Sequence, residues 1–516
     1  MFKKTAKQTL SNKISLFLIF LLPIIFYTYS FNSTLLDHMG YRQTQTALST
    51  LWMSHSDSWL NFTFPVFGYP WLLPLEYPIF QIISYWLSGI EFVQLQTSGR
   101  LLSLIVFYMS LIPIRYILEK SFSEHLIFYF FYFTSPILLY FSSKFLIDGF
   151  VFFLSLSVFA SFLMLVKNFT IRNSFIFFLF CTLCGLQKIT GLMAVLSGCG
   201  IYTIFYLATL KKDKNYYTKA LKFFFIFAVS VVIPIAWVFY GDHEKESIYL
   251  TSFLTSDALL NWNYGTLDQR LDLYNLSKVF GWRIGLLGGV FLLALRVIFY
   301  KFNKLKNNAL AISCLSCGLF GPIVFFNLYL IHDYYLISSL GFIGIGLYLM
   351  VDISKPRFKN LNISSNFYAI TVLILNILVF SYWYLPKTNN ISFSHEDMYI
   401  TALKIKNKLD REKVVLTSGV DWDSTIPFYS EKFSIMIPSW TKNEFAPKVD
   451  GEYFDSIFVL KNIDNYLGGR ELGAIVICNI RMGDNFDKEV NFIQENWKLE
   501  WKNQGLCNYG FLNQSL

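Results

Sequence analysis

Apolar runs of about 18 residues or more recur along the first 385 positions of this 516-residue chain. Each such run is long enough to cross a hydrocarbon layer of roughly 30 Å as one helix. The composition agrees, because 54% of the residues are hydrophobic and only 15% are charged, whereas a soluble domain carries about a quarter charged residues. The runs exclude a soluble enzyme and a disordered chain, and they predict a polytopic α-helical membrane protein.

We predict eleven transmembrane helices, of which the first is an uncleaved helix. It follows Lys3, Lys4, Lys7 and Lys13 and resembles a signal sequence, but no small-residue cleavage site follows it. The predicted spans are 12–31, 100–118, 126–142, 149–166, 174–187, 191–210, 221–240, 279–300, 309–331, 334–351 and 364–385.

The apolar stretch 79–97 is predicted to lie in the membrane interface and not to cross the bilayer. Four polar residues recur in it every three or four positions, which places them on one side of a helix; they are Gln81, Ser84, Ser88 and Glu91. An ordinary span whose polar side faces neighbouring helices is the alternative. The positive-inside rule favours the interfacial helix, because it puts the basic loops, including 211–222, on the cytoplasmic side.

This topology accounts for most of the formal net charge of +9, and we expect no nucleic-acid partner. It predicts a cytoplasmic N-terminus and a C-terminal domain outside the membrane. We expect a membrane domain over 1–385 and a small extracytoplasmic α/β domain over 386–516. Short buried strands are predicted at Val414–Ser418, Ser434–Ile437 and Ala474–Cys478, and helical stretches at 452–463 and 487–497.

The seven cysteines predict no metal site. Cys181 and Cys184, like Cys314 and Cys317, have the C-x-x-C spacing, which suggests zinc in a soluble loop. Both pairs lie inside apolar runs, where cysteine usually packs as a small hydrophobic residue. The sequence leaves open whether the two cysteines of the C-terminal domain, Cys478 and Cys507, form a disulfide.

Polar and charged residues gather at the ends of the predicted spans on the outer face. Charges at membrane depth cost several kcal/mol, so they need a reason. Those we select are Asp37, Arg42, Gln43, Glu76, Arg100, Lys144, Asp148, Lys188, His332 and Tyr335. Acids and cations together suit a substrate with a lipid tail and a charged head, because cations bind phosphate and a carboxylate removes a proton from an attacking hydroxyl.

Several members of this set have a structural alternative. Arg100 and Lys144 would serve equally to anchor helix ends at the headgroups. Asp148 would complement a helix dipole, and the tyrosine beside His332 would belong to an interfacial aromatic belt. The functional interpretation rests on these residues lying together at one face of the membrane. That they do so depends on the predicted topology.

Several segments of the sequence resemble bacterial membrane glycosyltransferases of the GT-C superfamily, near the protein O-mannosyltransferase and aminoarabinose transferase families. The segment Tyr41-Arg42-Gln43-Thr44-Gln45-Thr46-Ala47 resembles their R-Q-x-[DQ]-T-A motif in the first outer loop. The other matching segments, in order, are Gly68–Trp71, Leu75–Gln81, Gly99–Ser103, Asp148-Gly149, Gln187–Gly191 and His332–Tyr335. A weaker match is Ser418–Trp422 in the C-terminal domain.

The resemblance implies a GT-C fold in a bacterial inner membrane, with an interfacial helix after the first span and catalysis on the outer side. It implies an inverting transfer of a sugar from a polyprenyl-phosphate donor to an envelope glycan, lipid or protein hydroxyl. Many relatives carry an Asp-Glu pair where this sequence has Met39 and Gly40. The base is therefore either Asp37, which we favour slightly, or Glu76.

The remaining roles are likewise implied by the resemblance. Arg42, Lys188 and His332 are expected to bind the donor phosphate, while Gln43, Asp148 and Tyr335 bind sugar or position the cations. We expect no required cofactor. A divalent metal ion is unsupported, because Glu76 with His243 or His332 offers only one acid and one imidazole on distant loops.

Two other functions stay open. A polymerase or ligase that uses a diphosphate-linked oligosaccharide would share the carrier chemistry. A transporter of lipid-linked sugars is less expected, because transporters tend to show inverted repeats and polar residues near the bilayer midplane. The sequence identifies neither the sugar nor the acceptor.

Overall fold

The computed structural model describes residues 17–31, 33–56, 58–119, 125–210, 214–302, 305–356, 365–439, 448–449, 452–453, 455–483 and 485–512. The basic residues from Lys3 to Lys13, Lys211 and Lys212, and the start of the first predicted span, lie outside these ranges. Contacts divide the chain into two compact units. The first comprises 1–32, 100–237 and 263–386, and the second comprises 33–99, 238–262 and 387–516.

The first unit is built from apolar helices. Five helices of the described residues are long and apolar enough to cross a membrane: Leu95–Leu118, Asp148–Lys167, Ile189–Ala208, Tyr216–Glu246 and Ile370–Lys387. The number of eleven spans therefore stays a prediction. The helices in or entering this unit are Phe17–Ser30, Leu95–Met109, Leu111–Leu118, Leu126–Thr134, Pro136–Phe141, Asp148–Lys167, Ile171–Gln187, Ile189–Ala208, Lys214–Glu246, Leu267–Leu271, Leu273–Leu276, the π-helix Ser277–Leu287, Val290–Phe299, Leu305–Val324, Phe326–Ile331, Leu336–Met350 and Ser365–Trp383.

Some predicted spans are interrupted helices. The span 126–142 breaks at Ser135, whose ψ of 119° is non-helical and precedes Pro136; a residue before proline is biased away from the α region. The span 279–300 breaks at Gly289, which has a φ of 70°. These breaks follow local backbone chemistry, which hydropathy alone does not detect.

Small residues allow close helix packing in the first unit. A Cβ at Gly198 would overlap the backbone oxygen of Ser313 and the sulfur of Cys317. Glycine there lets Ile189–Ala208 and Leu305–Val324 approach closely, a common feature of membrane helices. Cys317 is fully buried and packs as a small residue. Two short strands, β1 (Tyr300–Phe302) and β2 (Val351–Pro356), pair antiparallel.

The second unit contains a mixed five-stranded sheet. Its strands are β3 (Val414–Ser418), β4 (Phe433–Met436), β7 (Leu472–Cys478), β8 (Lys502–Gln504) and β9 (Cys507–Phe511), in the order β4-β3-β7-β9-β8. Strands β3, β4 and β7 are parallel and β8 and β9 run antiparallel. A two-residue pair, β5 (Lys448–Val449) with β6 (Glu452–Tyr453), lies between β4 and β7 in the chain. The small C-terminal sheet is thus confirmed.

The sequence does not indicate the polar strand β8 or the strand β9, because neither is a continuous apolar run. A disulfide joins Cys478 at the end of β7 to Cys507 at the start of β9. The helices of this unit are Gly40–Leu51, Ile79–Ser88, Leu260–Tyr264, Phe393–Lys408, Thr425–Ser430, Ser456–Lys461 and Phe486–Asn496, with 3₁₀ turns at Met53–His55, Ser252–Leu254, Leu385–Lys387 and Ile463–Tyr466.

The loop after the first predicted span adds to this sheet. The amides of Gly68 and Met436 donate to Ser434 and Val66, and Ser434 donates to Pro65, at 2.9–3.2 Å. The segment therefore covers the free edge of β4, which would otherwise expose unpaired backbone groups. The predicted domain boundary after residue 385 stays a prediction; by contacts, 33–99 and 238–262 group with the C-terminal residues.

The helix Ile79–Ser88 buries its polar residues and exposes an aromatic one. Gln81 and Ser84 are buried, whereas Trp86 is 63% exposed. Ten residues at 1.5 Å each span about 15 Å, roughly half of a hydrocarbon layer. A helix with polar residues inward and tryptophan outward suits the lipid interface, and its interfacial position stays a prediction.

Candidate active site

Asp37 is held by the helix that follows it. The carboxylate is buried, at 4% exposure, and Gln43 Nε2 donates to its Oδ1 at 2.6 Å and to the His38 carbonyl at 3.3 Å. Met39, with a left-handed φ of 65°, turns the chain into helix Gly40–Leu51. The turn brings the acid back over the first turn of the helix, where a neutral amide fixes one of its oxygens.

The threonines of the same motif have a structural role. Thr44, Thr46 and Thr50 are buried, and each hydroxyl donates to the carbonyl four residues earlier at 3.0–3.1 Å. Such bonds satisfy buried hydroxyls within a helix. The motif thus combines threonines that bond within the helix with two largely buried polar side chains, Arg42 and Gln43.

Glu76, the other candidate base, is paired with a cation. Arg42 Nη2 lies 2.8 Å from Glu76 Oε1, and Arg42 Nη1 donates to Gln45 Oε1. The side chains are 11% and 22% exposed. Glu76 is thus held in an ion pair with Arg42, whereas Asp37 accepts from a neutral amide.

In the first unit, Lys188 is the centre of a second cluster. Its Nζ lies 2.5 Å from Asp148 Oδ1 and 4.0 Å from the centroid of the Tyr335 ring. Lys188 has an extended backbone between helices Ile171–Gln187 and Ile189–Ala208, and Asp148 begins its own helix. The extended backbone at Lys188 interrupts the helix and places the cation beside the carboxylate.

His332 joins this cluster through stacked rings. Its ring centroid lies 5.2 Å from that of Tyr334, which lies 4.7 Å from that of Tyr335. A cation over an aromatic face is stabilised by the ring quadrupole. The structure therefore brings Asp148, Lys188, His332 and Tyr335 together, and their predicted role stays a prediction.

Arg100 and Lys144 are buried cations with different surroundings. Arg100 Nη1 donates to the Ser30 carbonyl at 2.8 Å, at the end of helix Phe17–Ser30. Lys144 Nζ lies 4.4 Å from the centroid of the Tyr140 ring and 5.2 Å from that of Phe26. Both side chains are buried among residues of the first unit; their predicted part in donor binding, like the alternative of a headgroup anchor, stays a prediction.

Sequence reasoning missed two residues beside this cluster. Tyr384 donates to Asp333 Oδ2 at 2.8 Å, and its ring stacks on that of Tyr140 at 4.8 Å. Arg283 donates to the carbonyls of Tyr329 and Ile331 at 2.5 and 3.0 Å, and so holds the segment before His332. An arginine inside a predicted span was the signal, because such a charge needs buried partners.

A cavity of about 330 Å³ opens beside Asp37 in the second unit. Its wall combines the turn before helix Gly40–Leu51 with side chains from the segment that precedes and begins helix Phe393–Lys408, namely Lys387, Asn390, Ser392 and His395. Among the described residues, no group of three or more His, Cys, Asp or Glu could hold a metal ion.

The structure thus pairs Asp37 with Gln43 and Arg42 with Glu76 in the second unit, and it assembles four residues around Lys188 in the first. Each pairing lies within one unit. That all ten predicted residues form one site on the outer face stays a prediction.

Comparison with solved structures identifies the fold. The structure of ArnT from Cupriavidus metallidurans bound to undecaprenyl phosphate superposes over 96% of this chain and 98% of that one, with a TM-score of 0.59 and 13% identity. The apo oligosaccharyltransferase of Archaeoglobus fulgidus covers 98% of this chain, over 74% of its own length, with a TM-score of 0.51 and 11% identity. The chain has the GT-C glycosyltransferase fold.

The resemblance drawn from the motifs is therefore confirmed for the fold. A second Archaeoglobus fulgidus structure, of AglB with an inhibitory peptide and a dolichol-phosphate, matches 98% of this chain and 75% of its own with a TM-score of 0.50 and 11% identity. No protein-family model and no curated protein matches the sequence. The fold and the apolar helices are those of a multi-pass membrane protein.

Proposed function

We propose that this GT-C chain is an inverting glycosyltransferase of a bacterial inner membrane. It moves a sugar from a polyprenyl-phosphate donor to an envelope acceptor on the outer face. The motif resemblance and the fold support the class. The observation that carries the proposal is the buried Asp37 carboxylate, fixed by Gln43 on the wall of a cavity.

The reaction needs one base and a stabilised leaving group. The acceptor oxygen attacks the anomeric carbon from the side opposite the phosphate, and its proton passes to Asp37. The bond from the anomeric carbon to the phosphate oxygen breaks, and its electron pair stays on the phosphate. One C–O bond forms as another breaks, so the configuration inverts.

The cations supply the second requirement. Lys188 and Arg42 each hold their charge beside a carboxylate, which fixes the position of the charge before the donor binds. Charge-assisted hydrogen bonds to phosphate oxygens are stronger than neutral ones. We assign Lys188, with His332 next to it in the cluster, to the donor phosphate, and Asp148 and Tyr335 to the positioning of Lys188.

The test compares the two acids in a deletion strain. Mass spectrometry of envelope glycans and polyprenyl-phosphate sugars should show accumulated donor and one missing glycan residue. Plasmid-borne Asp37→Asn should leave this defect in place, with transfer reduced by about 10²–10⁴, the usual contribution of a general base. Glu76→Gln should retain much more transfer, because Glu76 is engaged with Arg42.

Asp464→Asn is the matched control, since Asp464 is an exposed acid of the same unit, and it should complement fully. Expression is checked by immunoblot of membranes for each variant. If Asp37→Asn and Glu76→Gln both transfer sugar normally, the assigned chemistry is wrong. If Glu76→Gln alone abolishes transfer, the base is Glu76.

A further inference from the structure

The cavity beside Asp37 has a wall that the transfer reaction alone does not explain. Asn390, Ser392 and Tyr41 are among the residues that line it. Asn390 and Ser392 are exposed, and Asp37 is buried at the wall. Its volume of about 330 Å³ falls at the lower end of ligand pockets, which span roughly 300–1,000 Å³. It is large enough for a small polar molecule next to the proposed base.

One side of this wall is held rigidly by an imidazole. His395 Nδ1 lies 2.6 Å from Ser392 Oγ, and Nε2 lies 3.2 Å from Asp423 Oδ2. Asp423 is itself buried and accepts hydrogen bonds from the amide and hydroxyl of Thr425 at 3.1 and 2.7 Å. With both ring nitrogens engaged, His395 fixes the hydroxyl of Ser392 at the cavity wall. Ser392 also caps helix Phe393–Lys408 by accepting from the His395 amide.

The chemistry of the wall matches a sugar ring. A carboxylate, an amide and a hydroxyl offer both donors and acceptors, as the neighbouring hydroxyls of a sugar require. The ring of Tyr41 supplies an apolar surface for the C–H face of the sugar, with Leu36 and Met39 beside it. Few polar groups placed on an apolar wall are typical of small-molecule sites.

An anionic headgroup fits less well, because the fixed charges around the cavity carry no excess of positive charge. Lys387 lines the wall beside Asp37. Behind the wall, Arg481 lies 3.7 Å from Asp421 and 5.6 Å from the centroid of the Tyr41 ring. The two cations Lys387 and Arg481 face three acids, Asp37, Asp421 and Asp423, so no net positive charge selects a phosphate.

We propose that this cavity is the acceptor subsite and that it takes the terminal sugar of a glycan. Asn390 and Ser392 bind the sugar hydroxyls, Tyr41 packs against the ring, and Asp37 faces the hydroxyl that is glycosylated. His395 and Asp423 are positioning residues. The inference rests on the proposed function, which leaves glycan, lipid and protein acceptors open, and it selects the glycan.

Binding is tested without transfer, on the purified full-length protein in detergent. Diethyl pyrocarbonate modifies accessible histidines, and peptide mass spectrometry measures the rate at His38 and His395, which line the cavity. The probes are methyl glycosides of several hexoses, glycerol phosphate, inorganic phosphate and a serine- and threonine-containing peptide. At least one methyl glycoside should slow modification at both histidines severalfold. The exposed His55 should react at an unchanged rate.

Variants separate a positioning role from a structural one. Asn390→Ala and Asp423→Asn should raise severalfold the glycoside concentration that half-protects His38. Asn496→Ala, an exposed asparagine of the same unit, should leave this concentration unchanged. If His395 has a positioning role, high glycoside concentrations should still protect His38 in His395→Gln, because the glutamine amide can still bond to Ser392.

The outcomes distinguish the two proposals. If no glycoside protects His38 and His395, or if the phosphates or the peptide protect them instead, the sugar subsite is wrong even when Asp37→Asn abolishes transfer. If Asp37→Asn transfers sugar normally, the proposed function fails whatever the binding result. Protection by a glycoside together with equal affinities for Asn390→Ala and Asn496→Ala would overturn the assigned contacts.

Discussion

The two units of this chain stabilise buried charges in different ways. In the first unit, Lys188 pairs with Asp148 and lies over Tyr335, while Lys144 is surrounded by aromatic rings. In the second unit, Asp37 takes a hydrogen bond from a neutral amide. Asp423 is matched by an imidazole. In these examples, the cations of the first unit are stabilised by a carboxylate and by aromatic rings. The acids of the second unit are stabilised by hydrogen-bond donors.

The difference bears on reactivity. A cation paired with a carboxylate keeps its charge and position, which is what phosphate binding requires. Asp37 accepts a hydrogen bond from the Gln43 amide, and in the proposed reaction it takes up the proton of the acceptor. In the proposed reaction, Lys188 of the first unit binds the donor phosphate, and Asp37 of the second unit is the base.

The largest effect that this comparison predicts is for Lys188→Met. Removing one preorganised group that stabilises developing charge typically costs about 10²–10³ in turnover, and we expect a loss of that size in complementation of the deletion strain. The control is Lys167→Met, at the other end of the Asp148–Lys167 helix, because Lys167 forms an exposed pair with Glu119. That variant should transfer normally.

Lys188→Met also leaves Asp148 buried without its partner, which is destabilising in itself. The double variant Asp148→Asn/Lys188→Met removes both charges and should fold better while remaining inactive. If the double variant regains wild-type transfer, Lys188 has only a structural role. The assignment of the phosphate-binding cation to the first unit would then be wrong.

A smaller effect is predicted for Gln43→Leu, which removes the amide that fixes Asp37. A hydrogen bond to a charged group is worth about 1.5–3 kcal/mol, so the turnover should fall about tenfold or more. Gln45→Leu, two residues along the same helix, removes an acceptor of Arg42 and should cost less. Since Gln43 is a positioning residue, the pH profile of turnover should move in Gln43→Leu and not in Gln45→Leu. Equal profiles in both variants would argue against this role.

The sequence predicted the pattern of apolar helices and part of the site. The sequence groups Lys188, Asp148 and Tyr335 because the two charged residues stand at the ends of apolar runs, and such charges need partners. The strands β3, β4 and β7 were found because parallel, buried strands are continuous apolar runs. In both cases a local pattern carries the information.

The parts that escaped prediction depend on contacts between distant segments. The hydrogen bonds that Gly68 and Met436 make between the loop and β4 join two segments that are distant in the chain. Neither segment has a local sequence pattern that predicts these bonds. The polar strand β8 is stable only because β9 pairs with it. His395 was passed over because one histidine near the start of a polar helix has no local signature. Its role depends on Asp423, which lies 28 residues further along the chain.

The smallest predicted effect concerns two buried acids of the second unit with opposite pKa shifts. Burial raises the pKa of Asp423, but the hydrogen bond from His395 and the charges of His395 and Arg481 outweigh it and leave the pKa below its usual value of 3.8. Burial raises the pKa of Glu489 above 4.5, although Ser418 donates to it at 2.6 Å. The two acids should therefore affect stability in opposite directions as the pH falls.

Asp423 contributes stability that is present above pH 3.8 and is lost as the pH falls through its folded pKa. Glu489 contributes stability that is present below pH 4.5 and is lost as the pH rises through its folded pKa. Amide exchange of peptides from β3, compared at equal pH, checks both. Relative to wild type, Asp423→Asn should gain protection on acidification, whereas Glu489→Gln should lose its advantage as the pH approaches 4.5. If protection changes in the same direction with pH in both variants, the two acids are not stabilised by different partners. The predicted contrast between these two acids would then be wrong.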